Sequence, residues 1–113
     1  MIRVTVSYPN QAGARFDIEY YMMKHMPLVA QRLNGRLAGW SVDRGVSGGA
    51  PGTQAEYLIQ AAMIFHDIEA FQTAMAVEGA ALIADVPNFT DLQPRIDVYK
   101  ILAEEASARG TGA

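Results

Sequence analysis

The sequence predicts one α+β domain in which four antiparallel strands carry helices on one face. Three observations predict it. Apolar residues recur at every second position near both ends of the chain and in its middle. Two intervening stretches follow helical spacing behind an aspartate. The segments run in the order strand, helix, strand, strand, helix, strand. At 113 residues, 50% of them hydrophobic and 19% charged, the chain is long enough to bury one core and too apolar for disorder.

Residues 2 to 8 place Ile2, Val4, Val6 and Tyr8 on one side of a first strand and Arg3, Thr5 and Ser7 on the other. A turn-like stretch from Pro9 to Gly13 follows, after which Asp17 caps a helix with the apolar stripe Ile18, Met22, Met26 and with Phe16 as a staple. Pro27 lacks an N–H and disfavours α geometry at Met26, so this helix must end, kink or restart there, before Leu28, Val29 and Leu33. Asn34-Gly35 closes it. Leu37 to Arg44 reads as a short second strand with Trp40 and Val42 on one face and Ser41 and Asp43 on the other. Residues 45 to 54 hold four of the ten glycines and no apolar period, which predicts a loop whose mobility would bear on access to a site.

Tyr57 to Phe65 is apolar on both sides and predicts a central strand covered on both faces. Asp67 caps the second helix, whose inward residues are expected to be Ile68, Phe71 and Met75. Gly79 divides it from a second piece ending near Asp85, and Pro87 stops it. Leu92 to Ile101 alternates again, and Pro94 suits only an edge strand. From Ala103 the chain turns small and polar. The domain therefore spans residues 1–102, and residues 103–113 form a frayed tail or a short terminal helix.

This element order is that of the ferredoxin-like βαββαβ fold, which leaves one face of its four-stranded antiparallel sheet without helices. A central strand apolar on both sides would expose a large apolar patch there, and a second copy of the chain is the economical cover. Arg3, Thr5, Ser7, Arg95 and Asp97 make that face too polar for a dry sheet-on-sheet core. The expectation is therefore a homodimer forming a dimeric α+β barrel, partly polar inside and roomy enough for a small molecule.

Several function classes are disfavoured. A net charge of −3 without any Lys/Arg run argues against nucleic acid and anionic membrane as partners. With no cysteine there are no disulfides, thiolate metal sites or Cys nucleophile, which fits a cytoplasmic protein. The first residues alternate instead of forming a signal sequence, and no apolar run reaches membrane-spanning length. His25 and His66 have no recognisable metal-ligand spacing, and the glycine loop lacks the following helix and the Lys-Ser/Thr of a phosphate cradle. No metal or cofactor is expected.

His25 is the strongest catalytic candidate, because imidazole alone among side chains has an unperturbed pKa near neutrality, about 6.5, and serves as general acid or base. Amid Ile18, Met22 and Val29 it also suits a structural role, with its ring satisfied by a carbonyl. Tyr21, four residues earlier, would neighbour it and orient the ring or donate a proton, or simply pack. Asp85, Asn88 and Thr90 suit polar contacts to a substrate or the closing of a turn. Tyr8 and Trp40 would wall an apolar ligand, or serve as core or dimer contacts.

Three blocks carry a family resemblance. Phe16-Asp17 with Tyr20-Tyr21 and His25-Met26-Pro27-Leu28-Val29 comes first, then Gly48-Gly49-Ala50-Pro51-Gly52, then Asp85-Val86-Pro87-Asn88-Phe89-Thr90-Asp91. With Tyr8-Pro9-Asn10, they resemble the EthD family over about residues 2 to 101. The resemblance implies a ferredoxin-like domain of the dimeric α+β barrel superfamily. The family's founding member accompanies a cytochrome P450 system that degrades ethyl tert-butyl ether, relatives are often labelled reductases, and similar barrels act as polyketide cyclases, dehydratases or cofactor-free monooxygenases. The expectation drawn from residues and resemblance together is a cofactor-independent enzyme or enzyme accessory acting on an apolar, oxygen-containing small molecule, with His25 as acid/base. The rival expectation is a carrier module that holds such a molecule for a partner oxygenase.

Overall fold

Period-two patterning becomes four strands, β1 (Ile2–Pro9), β2 (Gly39–Arg44), β3 (Tyr57–Phe65) and β4 (Arg95–Lys100), in a computed structural model that describes residues 1–105. The strands pair antiparallel in the order β2-β3-β1-β4. The two most continuously apolar strands are central, and the strand that follows Pro94 lies at an edge, where a missing N–H costs no ladder bond. Val4 lies opposite Met63 and Val98, and Val6 opposite Ala61 and Ile96. Paired residues share a face, so these side chains, with Tyr8 and Ile59, form the face that the helices cover. Arg3, Thr5, Ser7, Gln60, Ala62 and Ile64 make the opposite face, where Gln60 Nε2 donates to Ser7 Oγ at 2.9 Å. No described helix covers that face.

The first helical segment has three parts: α1 (Ile18–Tyr20), a π-helical turn (Tyr21–His25) and α2 (Met26–Arg32). Asp17 caps it as expected, its carboxylate accepting from Tyr20 N at 3.0 Å. Of the end, kink or restart expected at Pro27, the structure takes the restart, with Pro27 in the first turn of α2. The wide turn just upstream, in which Met26 N–H reaches back to Tyr21 O, inserts one residue into the helical phase. Of the expected stripe, Ile18 packs on the core and Met26 is buried, and the insertion turns Met22 out. Tyr21, His25, Met26 and Val29 are buried, while Met22 and Met23 stand 39% and 69% exposed.

The second helix, α3 (Ile68–Asp85), runs without a break through Gly79 and passes into a 3-10 turn (Val86–Asn88). The expected division at Gly79 does not occur, because a lone glycine costs a helix only about 1 kcal/mol and eighteen residues of helical bonding and packing exceed that. Asp67 caps α3 through Ala70 N at 2.8 Å. The inward residues also differ. Ile68 is 42% exposed, while Ala74, Gly79 and Leu82 are buried. Phe71 and Met75 do pack against the core, as expected. The architecture is the ferredoxin-like α+β fold. Beyond β4, Ile101 N still bonds Met1 O at 3.1 Å and Glu104 pairs with Arg3. Residues 103–105 adopt no regular structure, and the rest of the expected tail, 106–113, lies outside the described residues.

Candidate functional site

The two sequence blocks rich in aromatic and acidic residues, around residues 16–29 and 85–91, meet in space. Phe16 bridges to Thr90, Asp17 N donates to Phe89 O at 2.7 Å, Thr90 Oγ1 donates to Arg15 O at 2.6 Å, and Arg15 Nη2 donates to Pro87 O at 2.8 Å. These bonds fasten the segment after α3 to the entrance of α1. Phe89, fully buried, fills the junction, with ring centroids 4.6 Å from His25, 5.0 Å from Tyr21 and 5.8 Å from Tyr8.

Above this cluster, between the helices and the covered face of the sheet, lies a cavity of about 470 Å³. Its walls are apolar, among them Val4, Val6, Met63, Phe71, Met75 and Ile96, and that volume suits a small organic ligand. Three polar side chains reach it: Tyr8, Tyr21 and His25. The cavity is formed within one chain, on the helix side of the sheet. The expected pocket inside a two-sheet barrel would lie on the other face; patterning does not reveal that small residues of α3 such as Gly79 and Ala80 line a cavity on this one. None of residues 45–54 lines it, so the glycine loop does not govern access to it. That loop borders a separate depression of about 530 Å³, remote from His25.

His25 is 6% exposed, and its Nδ1 lies 2.9 Å from Asp85 Oδ2. Desolvation alone would raise the Asp85 pKa. Hydrogen bonds from Tyr20, Asn88 and His25 outweigh it and hold the carboxyl below its usual 3.8. Asp85 is thus a carboxylate at neutral pH and can only accept, so Nδ1 carries the proton. Nε2 is then the nitrogen with a free lone pair, on a ring that lines the cavity. Tyr20 OH donates to Asp85 Oδ1 at 2.7 Å and Asn88 Nδ2 donates to the same oxygen at 2.9 Å. The bond to Asp85 raises the Tyr20 pKa in return. Tyr21 stacks on the imidazole, centroids 5.4 Å apart and planes 21° from parallel, fixing its tilt.

Tyr8 and Tyr21 are each 1% exposed and make no hydrogen bond through their hydroxyls within the described residues. Burial pushes both phenols above their usual 10.0, and for Tyr21 the neighbouring Tyr8 adds to the rise. Both are therefore neutral donors at physiological pH.

The expected site residues divide accordingly. His25, Tyr21 and Tyr8 line the cavity, and Asp85 touches it only through His25. Asn88 bonds Asp85. Thr90 donates to Arg15 O and accepts from Leu92 N at 3.0 Å, which makes it a turn residue away from the cavity. Trp40, on β2, is 44% exposed and does not line the cavity. Tyr20 was not among the expected residues, although it directly precedes Tyr21 and its phenol holds Asp85. Only the fold, by bringing residue 85 beside residue 20, discloses it.

Residues 13–93 match the model of the EthD domain. The chain is 36% identical to an EthD-like protein from Ralstonia eutropha JMP134, with 93% of this chain and 95% of that one covered and a TM-score of 0.87. An ethyl tert-butyl ether D (EthD) family protein from Bacillus halodurans C-125 is 23% identical over 90% and 99% of the two chains, TM-score 0.70. A DABB-family protein with a ferredoxin-like fold from Mesorhizobium loti MAFF303099 is 17% identical over 90% and 97%, TM-score 0.56, a likeness of fold. Among curated proteins none matches.

Proposed function

The chain belongs to the EthD family, and we propose that it is a cofactor-independent acid–base enzyme for an apolar, oxygen-containing small molecule. The observation that carries this reading is the pairing of His25 with Asp85 at the wall of an apolar cavity. A carboxylate on Nδ1 fixes the tautomer and favours the imidazolium that forms when Nε2 accepts a proton, as general acid–base catalysis requires. The cavity binds the apolar body of the substrate, and Asp85 acts by positioning His25 without meeting the substrate itself.

The active form in this reading is a homodimer, the second copy covering the sheet face that carries no helix. The predominance of apolar wall supports a second reading, a carrier that delivers its ligand to a partner oxygenase.

A thermal-shift screen of the wild type and His25→Ala against small ethers, phenols, quinones and polyketide-like aromatics, at about pH 5 to 8, tests the site. A ligand class that raises the melting temperature of the wild type, and is then turned over by it and not by a folded His25→Ala protein, supports the enzyme. The same class bound without turnover supports the carrier. No response from either protein sinks both.

A further inference from the structure

We infer that Tyr8 and Tyr21 form a two-donor oxyanion site, and that the substrate is a neutral, apolar ketone enolised between this pair and His25. The inference rests on the acid–base reading of His25 and adds to it the identity of the group that receives the charge.

Both rings are almost wholly buried, in a T-shaped contact with centroids 6.0 Å apart, and both residues line the cavity beside His25. Neither hydroxyl has a hydrogen-bond partner among the described residues. Yet no buried side-chain oxygen or nitrogen there is without one, so part of the small surface that each tyrosine keeps lies at its hydroxyl oxygen. On residues that line the cavity, that surface opens into it. A phenol hydroxyl that keeps only a small surface, and that within an apolar cavity, has an unused donor, and natural proteins satisfy such groups. Two of them beside one cavity, next to a base, amount to donors waiting for an acceptor on the ligand.

The charges around the cavity narrow the class further. No Lys or Arg lines it, so no permanent cation offsets the desolvation of a carboxylate or phosphate, and a substrate that arrives charged is disfavoured. A negative charge that develops after binding, on an oxygen held by preorganised donors, is stabilised without reorganisation. The fitting step is removal of a proton from the carbon next to a carbonyl. Nε2 of His25 takes the proton, the C–H electron pair moves into the new C=C bond, and the carbonyl π pair passes to oxygen, where the phenols donate to it. Return of the proton to that carbon or to a conjugated one closes the step. Electrons balance without an oxidant or reductant.

The test uses 2-tetralone, a neutral apolar ketone with exchangeable α-hydrogens, and the full chain as wild type, His25→Gln, Tyr8→Phe, Tyr21→Phe and the double Phe variant. Phenylalanine keeps the buried rings and removes only hydroxyls that hold nothing in the protein, so these variants fold. Binding is read by saturation-transfer NMR and enolisation by loss of the α-proton signals in D2O. We expect the wild type to bind and exchange, and each Tyr→Phe change to slow exchange by about 10²-fold with binding retained, the effect of removing one oxyanion donor. His25→Gln should reduce exchange to the buffer rate. 2-Naphthoate, of similar size but charged, should not bind. Exchange that depends on His25 but proceeds undiminished in the double Phe variant would overturn the inference and leave the acid–base reading standing. Binding without exchange would overturn the inference in favour of a carrier. If neither 2-tetralone nor naphthalene binds, both readings fall.

Discussion

At the scale of single residues, the proposed chemistry turns on Asp85, although it meets the cavity only through His25. Its carboxylate is held by Tyr20, Asn88 and His25 with its pKa below 3.8. A folded-state value below the unfolded one stabilises the protein fully above about pH 4 and ceases to do so as pH falls through the folded value. Asp85→Asn should therefore lack this acid-sensitive part of the stability curve, seen as a smaller loss of melting temperature between neutral pH and acid. The amide oxygen introduced by that substitution still accepts from Nδ1–H, so the tautomer survives. What disappears is the charge that favours the imidazolium. Turnover should fall by about 10-fold or more, a part of the ~10²–10⁴ that a positioned base contributes. Undiminished turnover in a folded Asp85→Asn protein would mean that Asp85 serves only to close the turn. His25, Tyr21 and Asp85 could each be picked out of the sequence for their chemistry. Tyr20 could not, because spacing within a helix relates Tyr21 to His25 but says nothing of a carboxylate at the far end of another helix.

At the scale of elements, the strands were legible and the helices only partly so. A period of two survives local irregularity, and β3 has the bounds its alternation predicts. Helical phase does not survive an inserted residue. The π turn at Tyr21–His25 changes the phase within itself, which is why Met22 faces out and Tyr21 in while Ile18 and Met26 stay on the core side. Pro27 signals that something must change, without saying whether the chain stops, bends or widens. Gly79 misled in the opposite sense, since it interrupts nothing and instead thins the cavity wall. An added Cβ at residue 79 would meet Met75 Cβ at 3.7 Å and Met75 Sδ at 3.9 Å, ordinary van der Waals contacts. Gly79→Ala should then stabilise α3 by about 0.5–1 kcal/mol and raise the melting temperature by a few degrees. It should also weaken binding of the bulkiest ligands that the wild type accepts. A lowered melting temperature would show that the glycine is required for helix packing and not for space.

At the scale of the whole molecule, the sheet has two faces with different tasks. One carries the helices, the cavity and the His25–Asp85 pair. The other carries Leu58, Ala62 and Ile64, only half-buried within the chain, beside polar groups that already satisfy one another, as Gln60 does Ser7. An isolated chain would leave this mixed surface in water, whereas a second copy packed face to face, with sheets about 10 Å apart, would bury it. Sedimentation velocity on the wild type should therefore give twice the mass of one chain. Ala62, paired with Thr5 and Ser41, sits at the middle of this face, so Ala62→Arg should yield a folded monomer. Since the cavity lies on the other side of the sheet, that monomer should still bind the ligands found for the wild type. Dimer loss together with loss of binding would mean that the second copy shapes the cavity through the sheet. A wild type that sediments as a monomer at micromolar concentration would remove the dimer and leave the open face needing another explanation.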